Sequence, residues 1–173
     1  MGAVKMIFKN ILHDSMYGNA VTMVVRVVLG AMYLFSGVVK ALDPEAFAAV
    51  IRLYNILPGA LVAYAAIVIP YVEIVLGLCL AAGYKVKAAS TTSAGLMIVF
   101  SIAIAYNLLR GETFECGCFE LKRLGLGFEE RISYYLVFRD LALMACFILL
   151  YRVKKHVLSV EDYLERKGLR KLK

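Results

Sequence analysis

Four apolar runs, at about residues 20–42, 58–82, 88–109 and 131–151, constrain this chain more than any other feature. A helix rises 1.5 Å per residue and the hydrocarbon layer of a bilayer is roughly 30 Å thick, so about 20 predominantly apolar residues span it. Each run meets that length. The expectation is an all-α integral membrane protein: a four-transmembrane-helix bundle forming one domain over residues 1–173, with a cytoplasmic tail at 152–173. An apolar fraction of 62% agrees, because it lies well above that of soluble globules. The first run lacks a small-residue cleavage site after a short apolar core, so it is expected to stay in the mature protein.

The orientation follows from basic residues beside the runs, which are retained on the cytoplasmic side. Lys5 and Lys9 precede the first run, Lys85 and Lys87 lie between the second and third, and the tail carries Arg152, Lys154, Lys155, Arg166, Lys167, Arg170, Lys171 and Lys173. The first connection holds only Arg52, and the third offsets its basic residues with Glu112, Glu115, Glu120, Glu129 and Glu130. Both termini are therefore expected in the cytoplasm of a multi-pass inner-membrane protein. The net charge of +7 sits mostly in a tail beside the membrane, where the lipid bilayer is the nearer partner; no nucleic-acid role is expected. In the first connection, Asp43 as N-cap with Pro44 and Glu45 behind it predicts a short helix lying along the outer interface.

The third connection places Cys116 and Cys118 on either side of Gly117, on the extracytoplasmic side, which in a bacterium is oxidising. A disulfide needs Cα atoms about 4.4–6.8 Å apart, and residues two apart reach this only under strain, eased by a glycine between them. Strained, exposed disulfides exchange readily, so the spacing favours redox chemistry over a structural staple. Two thiolates alone do not complete a tetrahedral metal site, and His13 and His156 are expected on the opposite side, so no metal is predicted. Cys79 and Cys146 fall inside apolar runs and read as small apolar residues.

Arg26, Glu73, Arg139 and Asp140 are charged residues within the runs, where ionised groups pair or line a functional cavity. Depth counted from the run ends suggests a buried pair between Arg26 and Glu73. Arg139 and Asp140 are expected nearer the outer end with Lys40 and Asn107, around a polar cavity close to the cysteines.

Four ordered elements carry a resemblance: Arg26 to Lys40 as R-x3-G-x4-F-x-G-x2-K, Pro70-Tyr-Val-Glu73 with Gly77, Cys116-Gly-Cys-Phe119, and Arg139-Asp140. In this set the chain resembles the MauE/DoxX-like family of redox-associated membrane proteins. The resemblance implies a four-helix bundle distantly similar to quinone-linked disulfide-forming proteins, handling thiol redox outside the cytoplasmic membrane. In the MauE branch it implies a role in maturing a disulfide-rich amine-oxidising enzyme. Glu120 stands where the family often has Gly, and the second cysteine pair of disulfide-forming quinone reductases is missing.

One expected function is a membrane thiol-disulfide oxidoreductase. Cys116 and Cys118 would exchange electrons between a soluble thioredoxin-like or thiol-containing protein and a membrane quinone. Gly117, Lys40, Arg139 and Asp140 would support them by permitting the ring or stabilising thiolate or quinone oxyanion. The alternative is a non-catalytic assembly or maturation factor, or a redox-partner scaffold for an extracytoplasmic enzyme. It would bind a membrane partner through small residues such as Gly30, Ala31 and Gly37. A transporter has less support, with no internal repeat; an oligomer is compatible with every reading.

Overall fold

The computed structural model describes residues 17–112, 134–153, 159 and 160. Within them lie helices α1 (Tyr17–Leu42), α2 (Pro44–Tyr54), α3 (Gly59–Ala82), α4 (Val86–Leu109) and α5 (Tyr134–Arg152). Ala20–Leu42 of α1, together with α3 and α4, gives three segments long and apolar enough to cross a membrane. The chain is thus a multi-pass membrane protein. The fourth expected run corresponds to the 19-residue α5, which holds Arg139, Asp140 and Arg152 and is less uniformly apolar.

Local chemistry sets the breaks between helices. Asp43 leaves the helical region at φ −142° and its carboxylate accepts the Ala46 N–H at 2.9 Å, with Pro44 as the first residue of α2. This closes one of the donors that every helix start leaves open. α2 ends where Asn55 turns left-handed at φ 50°. α3 ends at Gly83, φ 73°, a left-handed position that glycine occupies without steric penalty. The turn to α4 is then only Gly83 to Lys85, so α3 and α4 run antiparallel as neighbours.

The most extensive interface joins α1 to α3, followed by that of α4 with α5. Glycines govern the first. A Cβ on Gly30 would stand 2.7 Å from the Ala81 nitrogen, one on Gly37 2.7 Å from the Pro70 carbonyl oxygen, and one on Gly77 2.7 Å from the Leu34 nitrogen. Small residues let helix backbones approach where water provides no hydrophobic drive. Gly30 and Gly37 are therefore consumed inside the chain and do not form the partner-binding face expected of them.

One core cluster draws on all four long helices: Leu29 and Tyr33 of α1, Leu76 and Leu80 of α3, Val86 and Ala89 of α4, and Phe147 and Leu150 of α5. Tyr33 and Phe147 meet edge to face, ring centres 5.5 Å apart. Cys79 and Cys146 are free thiols packed against this cluster.

The short helix expected after Asp43 forms, and its packing is specific. Phe47, Ala48 and Ile51 pack on Val62 and Ala66 of α3, while Tyr54 joins Ile104 of α4 and Leu136 of α5. Its apolar stripe is turned into the bundle, so α2 roofs one end of the helices. The reason is spacing: Phe47, Ile51 and Tyr54 recur every three to four residues on one helical face, and three helices converge there to receive them.

Candidate functional site

Beneath that roof, Lys40 and Glu73 form a buried ion pair. The Lys40 ammonium donates to both carboxylate oxygens, at 2.8 and 2.9 Å, with side chains only 3% and 7% exposed. The Ser36 hydroxyl donates to Glu73 Oε2 at 3.1 Å. Lys40 also lies over the rings of Phe47 and Phe100, 5.1 and 5.6 Å from their centres, so aromatic faces supply part of the attraction that water would otherwise give.

A second pair stands on α5. Arg139 donates through Nε and Nη2 to Oδ1 of Asp140 at 3.2 and 3.0 Å, and the Ser101 hydroxyl approaches Oδ2 at 3.4 Å. Asp140 is 1% exposed, whereas the Arg139 side chain keeps 17%. Both pairs line one partly open cavity of about 40 Å³, completed by Tyr33, Ser36, Leu96, Met97 and Phe100. Among the described residues, two basic and two acidic side chains from three helices thus meet around one space.

Several expected site residues change partners or roles here. Glu73 answers to Lys40 and Ser36, not to Arg26. Arg26 is buried at the opposite end of α3, its guanidinium against Gly83 and beside Ser159. Gly83 lies ten residues from Glu73, about 15 Å along the helix. The helix register explains the difference: the contacts of Gly30 with Ala81 and Gly37 with Pro70 slide α1 along α3 until Ser36 and Lys40 reach the level of Glu73. Lys40, Arg139 and Asp140 do share one cavity. Asn107 stands apart from it and ties helices together, its amide donating to the Tyr54 and Ala103 carbonyl oxygens at 3.2 and 3.0 Å. Cys116, Gly117 and Cys118 lie outside the described residues.

Sequence reasoning missed Ser36, Phe47, Phe100 and Ser101. Ser36 had a signal, since it precedes Lys40 by one helical turn and so shares its face. Phe47 and Phe100 had none, because an aromatic residue in an apolar helix looks the same whether it meets lipid or a cation.

The family model described as "Methylamine utilisation protein MauE" matches residues 18–152, which include both ion pairs as well as Cys116 and Cys118. The chain belongs to the MauE family. Among MauE proteins it is 32% identical over 121 residues to the "Methylamine utilization protein MauE" of Paracoccus denitrificans, covering 69% of this chain and 62% of that protein. The protein of the same name from Methylorubrum extorquens is 32% identical over 124 residues, covering 71% of this chain and 64% of the relative. That of Paracoccus versutus is 35% identical over 121 residues, covering 69% and 62%. The chain therefore spans less than two thirds of the length of these MauE relatives. No solved structure matches it.

Proposed function

We propose that this MauE-family chain is a membrane accessory protein of methylamine utilisation that exchanges disulfides with an extracytoplasmic protein through Cys116 and Cys118. In this reading α5 serves as the fourth span and both termini are cytoplasmic. The observation that carries it is the Cys-Gly-Cys spacing in the connection between α4 and α5. Those helices meet under α2, through Tyr54, Ile104 and Leu136, at the end of the bundle that holds the two ion pairs.

The chemistry conserves electrons. A thiolate of the soluble partner attacks the Cys116–Cys118 disulfide, forming a mixed disulfide and freeing one loop thiolate. The partner's second thiolate then attacks the mixed disulfide and releases the other loop cysteine. The partner dithiol is oxidised by two electrons, the loop pair is reduced by two, and the two thiol protons pass from the partner to the loop. The reverse sequence reduces the partner. The cavity does not fit a quinone ring as it stands, since about 40 Å³ is far below the roughly 150 Å³ of an apolar cavity that takes benzene. Exchange between the loop pair and a dithiol needs none.

Two measurements test this reading. A membrane-impermeant maleimide is expected to label reduced Cys116 and Cys118 in intact cells; labelling only after lysis would reverse the orientation. Purified Cys116→Ser and Cys118→Ser variants are each expected to lose thiol exchange with glutathione or a thioredoxin-like protein, falling to the uncatalysed background. Full maturation of the partner enzyme with both variants would instead make the chain a non-catalytic scaffold.

A further inference from the structure

Two helix ends close on one residue. α4 stops at Gly111, φ 75°, where the Gly111 N–H donates to the Leu108 carbonyl oxygen and the Glu112 N–H to that of Asn107, both at 3.1 Å. This paired arrangement around a left-handed glycine ends a helix and turns the chain away from it. The side chain of the same Asn107 reaches across to α2. Its amide donates at 3.2 Å to the carbonyl oxygen of Tyr54, the last residue of α2 and so one of the acceptors that a helix end leaves open. We propose that Asn107 is a positioning residue for the cysteine pair: it locks the exit of α4 to the end of α2 and so fixes where Cys116 and Cys118 are presented to a folded partner. The inference rests on the disulfide-exchange reading above and names a residue that the exchange depends on.

Stability alone does not account for an asparagine here. Asn107 is 0% exposed, and its neighbours Ala103, Ile104 and Leu108 pack in an apolar cluster with Tyr54 and Leu136. A leucine of similar shape would bury no polar atom. Asn107 instead carries a buried Oδ1 that accepts no hydrogen bond, and an unmet buried acceptor is a cost. Its second donor contact, to the Ala103 carbonyl oxygen at 3.0 Å, stays within α4 and joins nothing new. What the residue adds is the bond to Tyr54, which ties two elements together at one point.

That point governs the connection bearing the cysteines. Leu108 near the end of α4 and Leu136 and Val137 near the start of α5 pack on the same cluster beside Tyr54, so the connection leaves and returns at one place. From Glu112 to Cys116 is four residues of chain, a reach of at most about 14 Å, so the position of the α4 exit bounds where the pair stands. A folded partner must dock its surface and its thiols at once, which makes its rate depend on orientation. Glutathione, a small peptide, has no such second surface to match. Freeing the α4 exit therefore penalises the protein partner and spares the small one.

The test compares thiol exchange per folded molecule with a thioredoxin-like protein and with glutathione, using the full chain in lipid nanodiscs. Asn107→Leu removes the amide. Asn107→Thr keeps a hydroxyl able to bond the Ala103 carbonyl one turn back but too short for Tyr54. Both variants are expected to slow exchange with the protein about tenfold while exchange with glutathione stays within about twofold, since small misplacements of reacting groups cost large factors in rate. Wild-type rates with both partners, equal slowing with both, or loss of the fold in both variants would overturn the proposal and leave Asn107 a structural tie. A protein-specific loss in Asn107→Leu that Asn107→Thr does not share would also overturn it, because the bond to Tyr54 would then not be responsible. A wild type inert toward glutathione would sink the disulfide-exchange reading itself, an outcome distinct from an active wild type whose variants do not discriminate between the two partners.

Discussion

Glu73→Ala is expected to remove on the order of 3 kcal/mol of stability and most of the folded yield. The substitution leaves the Lys40 ammonium, 3% exposed, without its carboxylate and with only Phe47 and Phe100 over it. Breaking one side of a buried ion pair typically costs about 3–5 kcal/mol, because the surviving charge stays desolvated. The same logic predicts a rescue. Lys40→Met combined with Glu73→Leu removes both charges at similar volume, and such replacements are often neutral or stabilising. Thermal unfolding of the purified protein in one detergent, together with folded yield by size exclusion, measures both. A Glu73→Ala protein that melts with the wild type would mean that Lys40 reaches water, contrary to its buried position.

Gly77→Val is expected to be about as damaging, for a reason unrelated to charge. A Cβ at this position would sit 2.7 Å from the Leu34 nitrogen and 2.8 Å from the Gly30 carbonyl oxygen. These are backbone atoms of α1 that no rotamer change can move aside, so α1 and α3 must separate along their largest interface. Overpacking of this kind costs about 1–3 kcal/mol and sometimes more. Separation would also pull Lys40 and Ser36 away from Glu73, adding to the loss. Gly95 provides the control: it is exposed on α4, and a methyl group added there would meet nothing within 4 Å, so Gly95→Ala is expected to be neutral or stabilising by up to ~1 kcal/mol. Equal melting temperatures for Gly77→Val and Gly95→Ala would refute the close-contact account.

Which stretches become helices, and where they break, was written in the sequence. The runs expected at 20–42, 58–82 and 88–109 correspond to Ala20–Leu42, Gly59–Ala82 and Val86–Leu109, because long apolar segments and turn residues act through their immediate neighbours. Asp43 and Pro44 announced the start of α2 in the same way, through one side-chain acceptor and one fixed backbone angle. The burial of the charges at 26 and 73 followed from their place inside those runs, and that of Asp140 from its place in the run at 131–151.

Partnership among the charges was decided only in three dimensions. Glu73 had two bases within reach along the axis, and the choice of Lys40 over Arg26 depends on a slide of one helix against another. That slide is set by contacts between glycines far apart in the chain, where the missing Cβ atoms allow backbones to touch. Depth counted from the ends of a run cannot resolve it, since each span end is uncertain by a turn and one turn changes which side chain faces the carboxylate. The inward rotation of α2 was hidden for a similar reason. Its apolar stripe fits a lipid surface or a bundle end equally well, and only the convergence of α3, α4 and α5 beneath Phe47, Ile51 and Tyr54 selected the second.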